Sequence, residues 1–345
     1  MKRLNKIEKV HEHEASFYKK IKNKTVQCNL CPRDCIIKAG SRGNCGVRQN
    51  INGKLYSLVY GKPCSAALDP IEKKPLYHFL PGEKAFSIAT AGCNLHCLFC
   101  QNWEISQGMP EQVSHLNLPP KKVIEETKKA GSRIVCYTYT EPTVFYEYME
   151  DAAKIAKNEN LKNIAVSNGF IQQEPLKKIC KLIDGVNIDF KGNDHFYRKY
   201  TGAWVGPVLE SLKTYKKNKV WIEITNLIIP GLNDKESDIS WLINWIKENL
   251  GVNTPLHFTA FWPTYKLVHL HSTSIEKLRS ARKMALKAGL NFVYTGNLPD
   301  EEGNSTFCPS CKKLLIKRIG LHISQNSIIN GKCKYCNEKI PGVWK

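Results

Sequence analysis

From about Ala85 onward, short β-type runs alternate with longer amphipathic stretches, and this rhythm constrains the fold more than any single residue does. The runs are AFSIATA (Ala85 to Ala91), IVCYT from Ile134, NIAVS from Asn163, GVNIDF from Gly185, VWIEITNLII from Val220, PLHFTAF from Pro255 and NFVYT from Asn291. Between them lie helical patterns near 120–131, 143–158, 173–183, 206–218, 235–249 and 274–288; Leu242, Ile243 and Ile246, for example, fall on one helical face. Strand, helix, strand repeated in this way predicts an α/β protein with a parallel sheet, doubly wound or curled into a full or partial barrel. Ligands in such folds bind at the carboxyl ends of the strands.

Two flanks break the rhythm. Residues 1–79 are turn-rich and cysteine-bearing, and residues 303–345 are short, basic and carry two cysteine pairs. The expected organisation is an N-terminal Cys-rich module (1–79), a central α/β domain (80–302) and a C-terminal metal ribbon (303–345). A length of 345 residues suits this, and the 42% hydrophobic content is ordinary for a globular chain. No run approaches the roughly 18 apolar residues that a membrane span needs. The first residues, MKRLNKIEKVHEHEASFYKKIKNK, mix acids with bases and lack an apolar core, so no secretory signal is expected and the chain is assigned to the cytoplasm.

Fourteen cysteines in a reducing compartment point to bound metal before disulfides. Lys and Arg number 51 against 31 Asp and Glu, a formal charge of +20. That figure treats thiols as neutral; with clusters and zinc loaded it falls to roughly +15 to +18. A basic surface remains, which is weak support for nucleic acid because the basic residues are scattered and often paired with acids.

Immediately after the first run comes AGCNLHCLFCQNW, where Cys93, Cys97 and Cys100 form C-x3-C-x2-C. By chance alone such a triplet is expected roughly 0.02 times in a chain of this composition. Tight thiolate spacing on a loop suits an iron–sulfur cluster, and three local ligands for four irons leave one iron open to a substrate or cofactor. The competing reading is a zinc site completed by Cys64 or His96.

C-x3-C-x-aromatic-C at the end of a first barrel strand resembles the radical S-adenosylmethionine (radical SAM) enzymes, with Phe99 at the aromatic position that contacts adenine. The longer segments DPIEKKPLYHFLPG (Asp69 to Gly82) and SIATAGCNLHCLFCQNWEISQ (Ser87 to Gln107) resemble the radical SAM member of the AmmeMemoRadiSam system, a relative of pyruvate formate-lyase activating enzymes. The resemblance spans essentially the whole chain. It implies a partial (β/α)6-type radical SAM barrel, a [4Fe-4S] cluster on Cys93, Cys97 and Cys100, and S-adenosylmethionine chelated to the open iron. One electron would then cleave SAM to a 5′-deoxyadenosyl radical that abstracts hydrogen from a substrate. It also implies an electron donor such as flavodoxin or ferredoxin, and Memo-like and AMMECR-type protein partners.

Several residues can be placed against that resemblance. Glu141 (TYTEPT) ends the second run, where a carboxylate can accept from the SAM ammonium; the plainer reading is a helix N-terminal acid. Thr140 departs from the Gly or Asn common in relatives. Ser167 and Asn168 (VSNGF) are expected to reach ribose hydroxyls, with Gly169 supplying a permissive turn. Asp189 and Lys191 (NIDFKG) resemble an Asp-x-Lys motif, with Lys191 facing the SAM carboxylate; a plain ion pair would look the same. NLIIPGLND (Asn226 to Asp234) is assigned only a turn, and His257 is read as packing before substrate contact.

At the C-terminus, Cys308 and Cys311 (CPSC) are followed after 21 residues by Cys333 and Cys336 (CKYC), a zinc-ribbon arrangement. Near the N-terminus, Cys28, Cys31, Cys35 and Cys45 form another complete set of four, which suits either zinc or an auxiliary cluster. Spacing does not choose between them. Cys136 and Cys180 read as buried thiols. The leading expectation is therefore an enzyme of unnamed substrate. Its alternatives are a glycyl-radical activase acting on a partner protein, an RNA-modifying enzyme, and a non-catalytic iron–sulfur electron carrier.

Overall fold

The structure is a computed structural model, and it describes residues 13–345. The first twelve residues, part of the segment considered for a targeting signal, lie outside the described residues. Among the described residues no helix is long and apolar enough to cross a membrane.

The centre is one eight-stranded sheet. Its strands are β1 (Ser65–Pro70), β2 (Lys84–Ala89), β3 (Ile134–Tyr137), β4 (Lys162–Ser167), β5 (Gly185–Phe190), β6 (Trp221–Ile228), β7 (Leu256–Ala260) and β8 (Val293–Gly296), in spatial order β8-β7-β6-β5-β4-β3-β2-β1. All seven expected strands form, and β2 through β8 pair in parallel. Residues such as Ile164, Val186, Ile188, Ile224 and Phe258 are wholly buried, as expected of strands covered on both faces. The edge strand β1 was not anticipated. It runs antiparallel to β2, so the central sheet begins inside the segment assigned to the N-terminal module.

Helices α1 (Pro120–Lys129), α2 (Tyr146–Asn158), α3 (Gln173–Ile179), α5 (Gly206–Lys217), α6 (Glu236–Asn249) and α7 (Ile275–Lys287) fill the expected connections. Leu242, Ile243 and Ile246 form the buried stripe of α6. A further helix, α4 (Asp194–Thr201), was missed because its eight residues, DHFYRKYT, are strongly polar. Its ends explain it: the Asn193 side chain accepts from the Phe196 amide, and Gly202 at φ 66° closes it in the left-handed conformation.

The flanks attach at different places. N-terminal strands form two three-stranded sheets: His13–Glu14, Lys54–Ser57 and Arg48–Ile51 in one, Tyr18–Lys20, Val26–Cys28 and Ile36–Ile37 in the other. They pack beside α2, where buried Arg48 donates to Glu147 at 2.7 Å. C-terminal strands Thr306–Phe307, Leu314–Ile319 and His322–Asn326 form a small sheet whose Arg318 is fully buried. Arg318 donates to the Tyr77 carbonyl at 2.8 Å, and its guanidinium lies 4.1 Å from the centre of the Tyr77 ring. His78 in turn bonds the Pro341 carbonyl at 2.7 Å, holding the chain end against the loop between β1 and β2.

Candidate active site

Side chains alternate along a strand, so residues two apart share a face. On β5 and β6 the pairs Asn187 with Asp189 and Thr225 with Leu227 line one cavity of about 480 Å³, together with Val166 of β4 and Thr259 of β7. Two residues earlier on the same faces, His257 and Glu223 are bonded to each other at 2.7 Å and stay buried. Glu223 also accepts from the amides of Tyr77 and His78. His257 is thus a packed and satisfied residue below the cavity, the reading favoured from sequence.

Cys93, Cys97 and Cys100 all line the cavity. Their loop is held from the connection between β5 and β6: the amides of His96 and Leu98 donate to the carbonyls of Thr201 and Tyr200, both at 2.9 Å. The unpredicted helix α4 is therefore the clamp on the motif, a role no local pattern announces. Phe99 is buried, lines the cavity and packs against Phe196 of α4 at 5.6 Å between ring centres. Burial pushes the Cys97 thiol up to about 12, opposed by the Lys191 ammonium. Burial likewise raises Cys93 well above its ordinary range, with the Glu141 carboxylate adding to the shift. Such thiols stay protonated without a metal, so loading the site must release protons.

The zinc alternative loses both of its suggested fourth ligands. His96 is bonded through Nδ1 to Gln107 at 2.7 Å and through Nε2 to Asn44 at 2.8 Å. The Cys64 thiol instead points to the Ala89 carbonyl at 3.5 Å and lies outside the cavity lining. The lining offers three thiols and no imidazole.

Glu141 sits at the end of β3 with 1% exposure and caps the short turn Pro142–Phe145. Its Oε1 accepts from the Thr143 amide (3.0 Å), the Thr143 hydroxyl (2.6 Å) and the Ser167 hydroxyl (2.8 Å). Oε2 accepts a single bond, from the Asn168 amide at 2.8 Å. The capping role is thus present, and one oxygen keeps spare acceptor capacity at a cavity wall. Burial raises the pKa of Glu141, while the Thr143, Asn168 and Ser167 donors oppose it.

Ser167 and Asn168 are also used internally. Asn168 Nδ2 donates to Asn94 Oδ1 at 2.9 Å and lies 3.8 Å from the Cys93 sulfur, while its Oδ1 accepts from the Phe170 amide. Gly169, at φ +70°, turns the chain between them. Asp189 and Lys191 form an ion pair with each other at the cavity wall, and Lys191 Nζ lies 5.7 Å from the centre of the Phe99 ring. Burial pulls the Lys191 pKa down, but the Asp189 carboxylate raises it by more, so it remains a cation. Asn233 of NLIIPGLND pins the Lys191 loop, because its Nδ2 donates to the Lys191 carbonyl at 2.9 Å.

The sequence reading missed a second charged group at the cavity. Lys73 and Lys74 line it, both pair with Asp69 at 2.8 Å, and the Lys74 ammonium lies 4.2 Å from the centre of the Tyr139 ring. Tyr139 is held at φ 64°, and its hydroxyl bonds the same carboxylate. Burial alone would raise Asp69, but its lysine and tyrosine donors hold it well below the usual carboxylate range. Asp69, Lys73 and Lys74 all belong to the DPIEKK segment, but nothing in their spacing placed them at the cavity.

At the opposite end of the chain, the sulfur atoms of Cys308, Cys311, Cys333 and Cys336 lie within 4.8 Å of one another. The pairs Cys308 with Cys336 and Cys311 with Cys333 stand 3.5 and 3.8 Å apart. A tetrahedral ion with thiolate arms of about 2.3 Å has edges of roughly 3.8 Å, so the four sulfurs are spaced to hold one metal ion. Burial raises Cys308 to about 12; for Cys333 burial is outweighed by nearby amides and thiols, which bring it to about 7.

Residues 87–242, from β2 into α6, match the profile of the radical SAM superfamily. An uncharacterized protein of Methanocaldococcus jannaschii is 47% identical over 332 residues, 95% of this chain and 98% of its own length. A Haemophilus influenzae protein, provisionally assigned as a glycyl-radical enzyme activating enzyme, is 26% identical over 252 residues, 69% of this chain and 89% of its own. A radical SAM methyltransferase from Sphaerobacter thermophilus shares the fold at a TM-score of 0.50 and 14% identity, over 63% of this chain and 67% of its own. Three convergent thiols at the carboxyl ends of a parallel sheet, inside a stretch that matches one superfamily profile, lead to one assignment: the chain belongs to the radical SAM superfamily.

Proposed function

We propose that this chain is an enzyme that reductively cleaves S-adenosylmethionine and uses the product radical to abstract hydrogen, with a partner protein as its substrate class. The observation that carries the reading is the convergence of three thiols, with no fourth thiol or imidazole, on a cavity large enough for a bound cofactor. Cys93, Cys97 and Cys100 would hold a four-iron cluster whose open iron takes SAM; when bound and reduced by one electron, that group supplies a 5′-deoxyadenosyl radical.

The protein's own residues orient and neutralise. Glu141 Oε2, with spare capacity, would accept from the SAM ammonium, while its Oε1 keeps the β3 and β4 loops together. Lys191, paired with Asp189, would offer its positive charge to the SAM carboxylate. Phe99 offers an apolar wall for the adenine. Ser167 and Asn168 act mainly by shaping the wall, because their side chains are already engaged. The Asp69–Lys73–Lys74–Tyr139 cluster adds net positive charge at the rim, suited to a carboxylate or backbone carbonyl of the substrate.

We read the sheet as the partial barrel of this superfamily, the C-terminal tetrathiol set as structural zinc, and the wider context as the AmmeMemoRadiSam system with Memo-like and AMMECR-type partners. Similarity to the Haemophilus influenzae protein supports the choice of a protein substrate over a small molecule. The test is anaerobic incubation with SAM and dithionite. The wild type should release 5′-deoxyadenosine, and the Cys93→Ala/Cys97→Ala/Cys100→Ala variant should release none; unchanged release defeats the proposal. Deuterium passing into 5′-deoxyadenosine from a labelled protein partner, followed by mass spectrometry, would identify the substrate class.

A further inference from the structure

Cys28, Cys31, Cys35 and Cys45 line one small pocket in the N-terminal module. Their spacing differs from that of the C-terminal set. Among the described residues, Cys308, Cys311, Cys333 and Cys336 are the only group of three or more His, Cys, Asp or Glu whose ligand atoms all lie within 4.8 Å of one another. A single tetrahedral ion draws four thiolates to edges of roughly 3.8 Å. Thiolates around a cube of iron and sulfide stand farther apart, because a cluster rather than an ion fills the centre.

A second observation points to the same guest. Arg48 borders the pocket with 1% exposure. Its Nη2 donates to the Ser16 carbonyl at 2.8 Å and to Glu147 at 2.7 Å, but its Nε and Nη1 are buried without partners. Unused charged donors beside four thiols suit an anionic, sulfur-rich guest, whose sulfurs accept hydrogen bonds and whose charge the guanidinium offsets. The Asn44 amide already donates to the Cys35 sulfur at 3.5 Å.

This pocket abuts the Cys93 loop. Arg33 Nε donates to the Asn94 carbonyl at 2.7 Å, and Asn44 bonds His96 at 2.8 Å. Gly92, at φ +91°, lies so close to the Cys45 carbonyl that a Cβ there would sit 2.8 Å from it. The two thiol sets are thus joined by the residues next to their ligands.

We propose that Cys28, Cys31, Cys35 and Cys45 hold a second, fully ligated four-iron, four-sulfide cluster that passes single electrons to the cluster at Cys93, Cys97 and Cys100. A low-potential one-electron donor protein reduces the N-terminal cluster; that cluster is then oxidised as its neighbour is reduced, and no bond or proton moves. The metal assignment stands on the N-terminal geometry alone, whereas the transfer rests on the radical SAM reading.

The experiment uses the full chain, loaded anaerobically with iron and sulfide. The Cys93→Ala/Cys97→Ala/Cys100→Ala variant should keep about four irons and four sulfides, with the Mössbauer spectrum of a four-iron cluster. Zinc in place of that iron, or about two irons, overturns the assignment. Cys31→Ser/Cys35→Ser should lose this iron, release 5′-deoxyadenosine at the wild-type rate with dithionite, and lose at least tenfold with reduced flavodoxin or ferredoxin. Equal rates with the protein donor overturn the transfer. Iron retained by the triple variant beside a wild type that never cleaves SAM would leave the cluster standing and remove the radical SAM reading instead.

Discussion

Two four-cysteine sets lie in this chain, and they differ in spacing, in neighbours and in distance from the chemistry. The C-terminal sulfurs crowd to within 4.8 Å and belong to a ribbon anchored by Arg318 and His78 against the end of the sheet away from the cavity. The N-terminal cysteines line one pocket with an arginine that has unused donors, and their neighbours Arg33 and Asn44 bond the Cys93 loop. Equal ligand counts therefore do not imply equal roles; spacing and surroundings separate the proposed clip from the proposed redox site.

The largest expected effect that sharpens this contrast is metal loss from the C-terminal set. Cys311→Ala/Cys333→Ala should remove the metal this set holds and destabilise the ribbon by several kcal/mol, seen as an early transition in calorimetry. 5′-Deoxyadenosine formation per folded molecule should stay within about tenfold of wild type, since the ribbon lies away from the cavity. A collapse of activity without a change in melting would break the contrast.

Next come the two buried arginines, one in each flank. Arg48→Met leaves Glu147 buried without its ion-pair partner, and Arg318→Met leaves Glu72, 3.7 Å away, in the same position; each should cost about 3–5 kcal/mol in denaturant unfolding. Only the first should also alter the visible absorption of the loaded protein.

Acid should loosen the C-terminal anchor. Burial lowers the His78 pKa from 6.5 to about 4, against opposing pulls from Glu223 and the Pro341 carbonyl. Unfolded His78 binds its proton first as the pH falls, so the stabilisation is complete above pH 6.5 and is lost on descent through about pH 4. The total is about 3 kcal/mol, and fluorescence of Trp344, which packs on His78 at 5.5 Å between ring centres, should follow it. A signal flat over that window would show that His78 is not the lever.

The smallest expected effect is that of Asn44→Ala, which removes one partly exposed hydrogen bond to His96 between the two upper cysteine loops. Stability should fall by about 1 kcal/mol, and electron delivery from a protein donor should slow more than delivery from dithionite.

The sequence alone determined the strand–helix rhythm, because burial of the sheet writes short β-type runs such as GVNIDF, whose Val186, Ile188 and Phe190 are buried and which forms β5 with those very limits. It also determined the three thiols of the Cys93 loop, because ligands from one loop are local in sequence. Tertiary structure alone decided what holds that loop. The clamp by the short polar helix α4 and the internal bonds of Ser167 and Asn168 arise from contacts between distant parts of the chain, 74 positions apart for Asn94 and Asn168, and no local period encodes them. The Asp69–Tyr139 contact spans 70 positions for the same reason. What spacing left open for the N-terminal cysteine set is a matter of three dimensions: its sulfurs are not gathered within 4.8 Å as the C-terminal four are, because the space between sulfurs and the charge beside it are set by the packing of distant chain.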